Sequence, residues 1–107
     1  MQLVFNWVSM TRDELTEASE SYIRKLIKQH ISSHTHVFLY GSRAQGNHRW
    51  NSDYDLWIDA DLSPVLLDQV TEELNESFVP FKVDIVTTPK LKGRFAEEVK
   101  RKAILWM

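Results

Sequence analysis

The chain has 107 residues, of which 43% are hydrophobic, and its 13 Lys and Arg residues against 15 Asp and Glu residues give a formal net charge of −2. A length near one hundred residues predicts a single compact domain over residues 1–107, without room for a separate substrate domain, and the near balance of charge excludes a general attraction to nucleic acid or anionic membranes. The lack of cysteine excludes disulfides and thiolate chemistry, and with no signal peptide or membrane-spanning run we expect a cytoplasmic protein.

The N-terminal part of the chain predicts one long helix. Residues 1–10 are apolar and leave three interpretations open: an extra edge strand, a dimer contact or an unstructured extension. Thr11 and Glu14 have the spacing of a capping box, in which each side chain accepts a hydrogen bond from the other residue's backbone N–H. Apolar residues behind them recur at helical spacing, so the sequence predicts an amphipathic helix over residues 12–31.

Two predicted strands follow this helix. Residues 37–40 are a short apolar run that ends at Gly41, which favours a buried strand with a glycine turn at its carboxyl end. Residues 54–60 alternate between apolar and polar side chains and predict a second strand. Because residues two apart in a strand point to the same side, Asp53 and Asp55 should project together on the polar face.

The second half of the chain predicts a helix and a further strand. Ser63 followed by Pro64 is a strong helix start, and the helix should end before Pro80. Residues 81–88 alternate again and place Asp84 on the polar side of a third strand.

The C-terminal pattern predicts a third helix over residues 91–101 and a short final strand at residues 104–106. This order of elements predicts an α/β (α+β) fold, with a small mixed β-sheet whose helices lie mainly on one face. The other face should carry the aspartates.

The aspartates favour a divalent metal site. At about 4 Å and an effective dielectric of about 20, two carboxylates repel each other by roughly 4 kcal/mol, which bound cations offset. Oxygen ligands alone suit Mg²⁺, which shares itself between carboxylates and substrate phosphates. Asp53 and Asp55 are therefore candidate ligands, and Asp84 could complete a two-metal arrangement with two Mg²⁺ ions.

The glycine turn favours phosphate binding. Gly41 permits a close approach of the backbone, Ser42 offers a hydroxyl, and Arg43 could pair with a phosphate through its planar guanidinium. Taken singly, the Gly-Ser pair could be an ordinary turn and the two aspartates could be capping residues. Together with Asp84 they predict a catalytic type of site.

The basic residues near these motifs and Trp50 each allow two interpretations. Arg43, Lys82, His48 and Arg49 could form a basic rim around the acidic centre, or could be ordinary solubilising surface. Trp50 could stack on a base or contact a partner, or it could anchor its polar loop on the domain.

Gly41-Ser42, Asp53-Tyr54-Asp55 and Asp84 resemble the signature of the minimal nucleotidyltransferases of the DNA polymerase β superfamily. The chain is similar in particular to the small antitoxins encoded beside HEPN-domain toxins. The resemblance implies a polymerase β palm-like fold in which Gly41 and Ser42 bind the triphosphate of ATP. It also implies that Asp53 and Asp55 ligate both metals and that Asp84 helps to activate the acceptor. Many members carry a second arginine where this chain has Gln45, which leaves one fewer cation for phosphate.

The first functional hypothesis is a Mg²⁺-dependent nucleotidyltransferase that moves AMP from ATP to a hydroxyl. By the resemblance, that hydroxyl belongs to a tyrosine of a partner HEPN toxin, and the transfer silences the toxin. One alternative is an antitoxin that neutralises the toxin by contact alone, and another is transfer to a small molecule. Direct contact with nucleic acid or a membrane is not expected.

Overall fold

The computed structural model describes residues 10–107, so the three interpretations of the N-terminal segment fall on residues 1–9, outside the described part. The described chain forms the following elements, in order: α1 (Arg12–His30), β1 (Val37–Tyr40), the short helix α2 (Ser42–Gln45), β2 (Tyr54–Ile58), α3 (Pro64–Asn75), β3 (Val83–Thr87), a 3₁₀ turn (Thr88–Lys90), α4 (Gly93–Lys102) and β4 (Ile104–Leu105).

The predicted starts of the first two long helices are confirmed, whereas α4 begins at Gly93, two residues later than predicted. The Thr11 hydroxyl accepts a hydrogen bond from the Glu14 N–H at 3.0 Å, and the Glu14 carboxylate accepts one from the Thr11 N–H at 2.9 Å. At α3 the Ser63 hydroxyl accepts from the Leu66 N–H at 3.2 Å, with Pro64 in the first turn. These bonds satisfy backbone donors that a helix start leaves unpaired.

The four strands of residues 10–107 form one mixed sheet in the order β3-β2-β1-β4. β1 pairs antiparallel with both β2 and β4, whereas β2 and β3 are parallel and are joined through α3. A parallel pair requires such a crossover, because the chain must return to the same end of the sheet. The mixed α/β fold that the sequence predicts is therefore confirmed.

The two faces of the sheet have separate cores. Helices α1 and α3 cover the first face, where the main apolar cluster includes Ile23, Leu39, Leu56 and Val70. Helix α4 covers part of the second face, on which Val99 and its neighbours pack against the side chains of β1, β2 and β3. The carboxylates also lie on this second face, and α4 covers part of it, which the sequence did not predict.

Several element ends differ from the sequence prediction. The residues after Gly41 form the four-residue helix α2, which is too short to leave a periodic apolar pattern. β2 ends at Ile58, two residues early, and β3 begins at Val83, although Phe81 is still buried in the main core. In the part of the chain that is described, no helix is both long and apolar enough to cross a membrane.

Replacing Leu56 with alanine should lower the free energy of unfolding by about 2–5 kcal/mol, because Leu56 is 0% exposed and its loss leaves a cavity in the central strand. Urea denaturation measures this change. Val65, which is 77% exposed, gives the matched control: Val65→Ala should change the same quantity by less than about 0.5 kcal/mol. Equal losses in the two variants would contradict the assigned core.

Candidate active site

A row of three polar side chains crosses the second face of the sheet. Tyr40 of β1 lies opposite Asp55 of β2, and Asp55 lies opposite Asp84 of β3. Register partners on neighbouring strands are about 5 Å apart and point to the same side of the sheet. The strand pairing therefore brings Asp55 and Asp84, which are far apart in the sequence, into one carboxylate pair beside a phenol.

Asp53 stands next to this pair and is more exposed. It immediately precedes β2 and has the same strand parity as Asp55, whereas Asp55 and Asp84 are half-buried. Among residues 10–107, no three His, Cys, Asp or Glu side chains are arranged closely enough to enclose a metal ion. The three aspartates offer oxygen ligands only, the ligand type that Mg²⁺ prefers.

The like charges perturb the protonation of the row. Burial raises the pKa of Asp55, and the neighbouring charges of Asp84 and Asp53 raise it further, while Lys82 acts in the opposite direction. Burial also raises the pKa of Tyr40, again with contributions from Asp55 and Asp84. The smaller, electrostatic part of both pKa shifts comes from neighbouring carboxylates, and a bound cation would oppose it.

Gly41 forms the wall of the site beside Asp55. Its φ of 75° is a conformation that residues with a side chain rarely adopt. A Cβ atom placed on Gly41 would overlap the Asp55 carboxylate oxygen and would lie 3.2 Å from the carboxylate carbon. Only glycine therefore allows the backbone of this turn to approach the carboxylate so closely.

Ser42 begins α2 directly after this glycine. The Gly41 carbonyl accepts hydrogen bonds from the N–H groups of Ala44 and Gln45 at 3.2 and 3.3 Å, which fixes the turn. Ser42 is half-buried and is the first residue of α2 after Gly41. The structure thus brings Gly41 together with Asp55 and Asp84, and the role of Ser42 stays a prediction.

A groove of about 130 Å³ is lined in part by Gly41. Its walls come from the end of β1, from α2 and from α4, and they include Tyr40, Gln45 and Phe95. Phe95 is 47% exposed and meets the Tyr40 ring edge to face, with the ring centroids 6.2 Å apart. The sequence did not predict this groove. Phe95 was interpreted only as part of the helical repeat of α4, and Tyr40 only as part of the apolar run of β1.

The Arg43 side chain contacts the loop before β2 and the ring of Tyr54. Its Nε donates to the Ser52 carbonyl at 3.0 Å and a terminal nitrogen donates to the Trp50 carbonyl at 2.7 Å. The guanidinium carbon lies 4.0 Å from the ring centroid of Tyr54. A direct contact between Arg43 and phosphate stays a prediction.

Trp50 anchors its loop on the domain. Its ring meets Phe81 edge to face at 5.5 Å, and the indole N–H donates to the Arg12 carbonyl at 3.3 Å. Of the two interpretations of this residue, the structure therefore shows the loop anchor.

The four basic residues do not form a continuous rim. Lys82 lies beside the carboxylates and its Nζ is 3.6 Å from an Asp84 oxygen, whereas His48 and Arg49 are exposed in the loop. Since Lys82 and Asp84 are themselves exposed (68% and 45% of their side chains), their ion pair adds little stability. Lys82 is the positive charge that acts on Asp55.

The chain matches a known protein family. The family model described as Polymerase beta, Nucleotidyltransferase matches residues 22–106, a range that contains the glycine turn and all three aspartates. Among curated proteins, none matches the chain.

Solved structures with a similar fold include toxin-antitoxin complexes. A chain in a crystal structure of a toxin-antitoxin with AMP-PNP is 26% identical, with a TM-score of 0.66, and the match covers 81% of this chain and 72% of that one. A chain assigned as a minimal nucleotidyltransferase is 28% identical, with a TM-score of 0.62 and coverage of 91% and 97%. The tri-AMPylated Shewanella oneidensis HEPN toxin in complex with MNT antitoxin contains a chain of the same fold at 20% identity, with a TM-score of 0.62 and coverage of 84% and 71%.

Replacing Asp55 with asparagine should make the metal-free protein more stable at neutral pH. A carboxyl whose pKa is higher in the folded than in the unfolded protein favours folding only while it is protonated, so its ionisation costs stability as the pH rises. The gain in Asp55→Asn should therefore be largest above the folded pKa and disappear below the ordinary value of 3.8. Urea denaturation between about pH 3 and about pH 8 measures this gain in the free energy of unfolding.

Asp61→Asn is the control, because Asp61 is an exposed carboxylate in the loop after β2. Its stability should follow that of the wild type within about 0.5 kcal/mol at each pH. A gain in Asp55→Asn that does not vary with pH would show that charge on Asp55 is not its cause.

Proposed function

Because this chain belongs to the polymerase beta nucleotidyltransferase family, we propose that it transfers AMP from ATP to a protein hydroxyl with the help of two Mg²⁺ ions. The observation that carries the proposal is the side-by-side placement of Asp55 and Asp84 next to the Gly41 turn. Carboxylates for a hard cation and a backbone open to phosphate are the two requirements of metal-assisted nucleotidyl transfer.

The side chains present fit magnesium. Asp53, Asp55 and Asp84 supply oxygen ligands only, and the raised pKa of Asp55 has like charge among its causes, which a cation would neutralise. Mg²⁺ bound there would neutralise the developing charge on the triphosphate and lower the pKa of the attacking hydroxyl.

The chain's own residues would orient the reactants. Gly41 and Ser42 would hold the terminal phosphates, and the groove at Tyr40 and Phe95 lies where the nucleoside could continue from them. The acceptor oxygen attacks the α-phosphorus of ATP, the bond to the bridging oxygen breaks, and pyrophosphate leaves. The hydroxyl proton passes to Asp84, which lies on β3 at one edge of the described sheet and is therefore accessible to an acceptor.

The proposed acceptor is a tyrosine of a HEPN toxin. Support comes from the similar chain that was solved in a toxin-antitoxin with AMP-PNP, at 26% identity. A chain of the same fold also occurs in the complex that holds a tri-AMPylated HEPN toxin. We therefore propose that this chain is the antitoxin of such a pair and inactivates its toxin by AMPylation.

Replacing both Asp53 and Asp55 with asparagine should abolish AMP transfer, with a fall in rate of at least about 100-fold, because the carboxylate ligands that hold the metal charge at the phosphates are lost. Mass spectrometry of the co-purified toxin after incubation with ATP and Mg²⁺ measures the gain of AMP. Asp61→Asn serves as the matched control and should transfer AMP at the wild-type rate.

The same experiment separates the alternative functions. If the double variant still neutralises the toxin in cells as the wild type does, neutralisation by contact would replace the enzymatic proposal. If the wild type leaves the toxin mass unchanged but modifies small hydroxyl compounds in the presence of ATP, the acceptor is a small molecule.

A further inference from the structure

The Arg43 side chain donates hydrogen bonds to the loop that precedes Asp53. It donates to the carbonyls of Trp50 and Ser52, and Ser52 is the residue immediately before Asp53. Two donors in the plane of one guanidinium bind two carbonyls of the same loop, a geometry that fixes orientation as well as distance. The start of α2 and the start of β2 are thereby connected through a single side chain.

The guanidinium also lies on the face of the sheet opposite to the carboxylate pair. It packs over the rings of Tyr54 and Phe81, at 4.0 and 4.9 Å from their centroids, and both residues belong to the core under α1 and α3. Tyr54 and Asp55 are adjacent in β2 and so point to opposite sides. The positive charge that lowers the pKa of Asp55 is accordingly that of Lys82, while the charge of Arg43 acts on Tyr54.

The rest of this loop depends on few contacts. A turn between Arg49 and Ser52 is closed by bonds of 2.8 and 3.1 Å, but residues 47–49 are exposed. Trp50 fixes the loop through its ring contact with Phe81 and its N–H bond to the Arg12 carbonyl. Asp53 itself is exposed, so the backbone that precedes it determines where its carboxylate stands.

We propose that Arg43 is a positioning residue that aligns Asp53 with Asp55 by clamping the preceding loop, and that it is not a phosphate ligand. This inference rests on the proposed function, because it assigns Asp53 to the metal site. Arg43 would hold the loop in position, and the phosphates would be bound by the Gly-Ser turn and by the metal ions.

Arg43→Lys tests the inference, because lysine keeps the positive charge and the aliphatic stem but cannot bind two carbonyls in one plane. We expect the affinity for Mn²⁺ without nucleotide, measured by calorimetry, to fall about 10-fold or more, as it does when groups that orient metal ligands are lost. Amide hydrogen exchange across residues 47–53 should increase in the same variant. Arg49→Lys, in the same loop, should leave the Mn²⁺ affinity unchanged.

The outcomes separate this inference from the proposed function. Wild-type protein that binds Mn²⁺ neither alone nor with a saturating nonhydrolysable ATP analogue would overturn the metal site and this inference with it. If Mn²⁺ binds only together with the analogue, the variants are compared in that complex. Wild-type binding that persists unchanged in Arg43→Lys would overturn the inference alone, even if the loop exchanges faster, because the contact would then be merely structural. If thermal denaturation shows that Arg43→Lys does not fold, Arg43→Gln, which keeps a planar amide donor, replaces it with the same readouts.

Discussion

The repulsion between Asp55 and Asp84 is the constraint on which the rest of the site depends. Parallel pairing of β2 and β3 places the two residues directly opposite each other on strands about 5 Å apart, so their like charges repel. The apolar core on the first face stabilises the sheet strongly enough to keep this arrangement. Burial is the main cause of the raised pKa of Asp55 and of Tyr40, and the nearby carboxylates raise both further.

The two faces of the sheet differ: the first carries the main apolar core and the second carries the candidate site. The first face carries the larger core, and it also takes up the guanidinium of Arg43 between aromatic rings. The second face has a smaller core under α4, beside which the carboxylates and the glycine turn stay accessible. Because Arg43 faces away, Lys82 is the cation beside the carboxylates, and its single charge leaves them undercompensated. Such a surface is suited to a divalent ion.

Local signals predicted more of this structure than long-range contacts did. The capping box at Thr11 and the β1 run at residues 37–40 follow from residues close together in the chain, and both are confirmed. Strand parity placed Asp84 on the same face as Asp55, although the register that makes them neighbours depends on tertiary packing. The contacts of Arg43 could not be predicted, because its ring and carbonyl partners come from later segments. The position of α4 was missed for the same reason, since its apolar stripe fits either face of a sheet.

The crossover between β2 and β3 has a consequence for how the protein is made. Gly41, Ser42, Asp53 and Asp55 emerge from the ribosome before α3, whereas Asp84 follows it. Pairing of β3 with β2 closes a long loop and is among the slower steps expected in folding. A nascent chain that has reached α3 thus holds the glycine turn and two carboxylates but not the third. The three carboxylates come together only when β3 pairs with β2, so under the proposed function an unfinished chain lacks a complete site for nucleotide transfer.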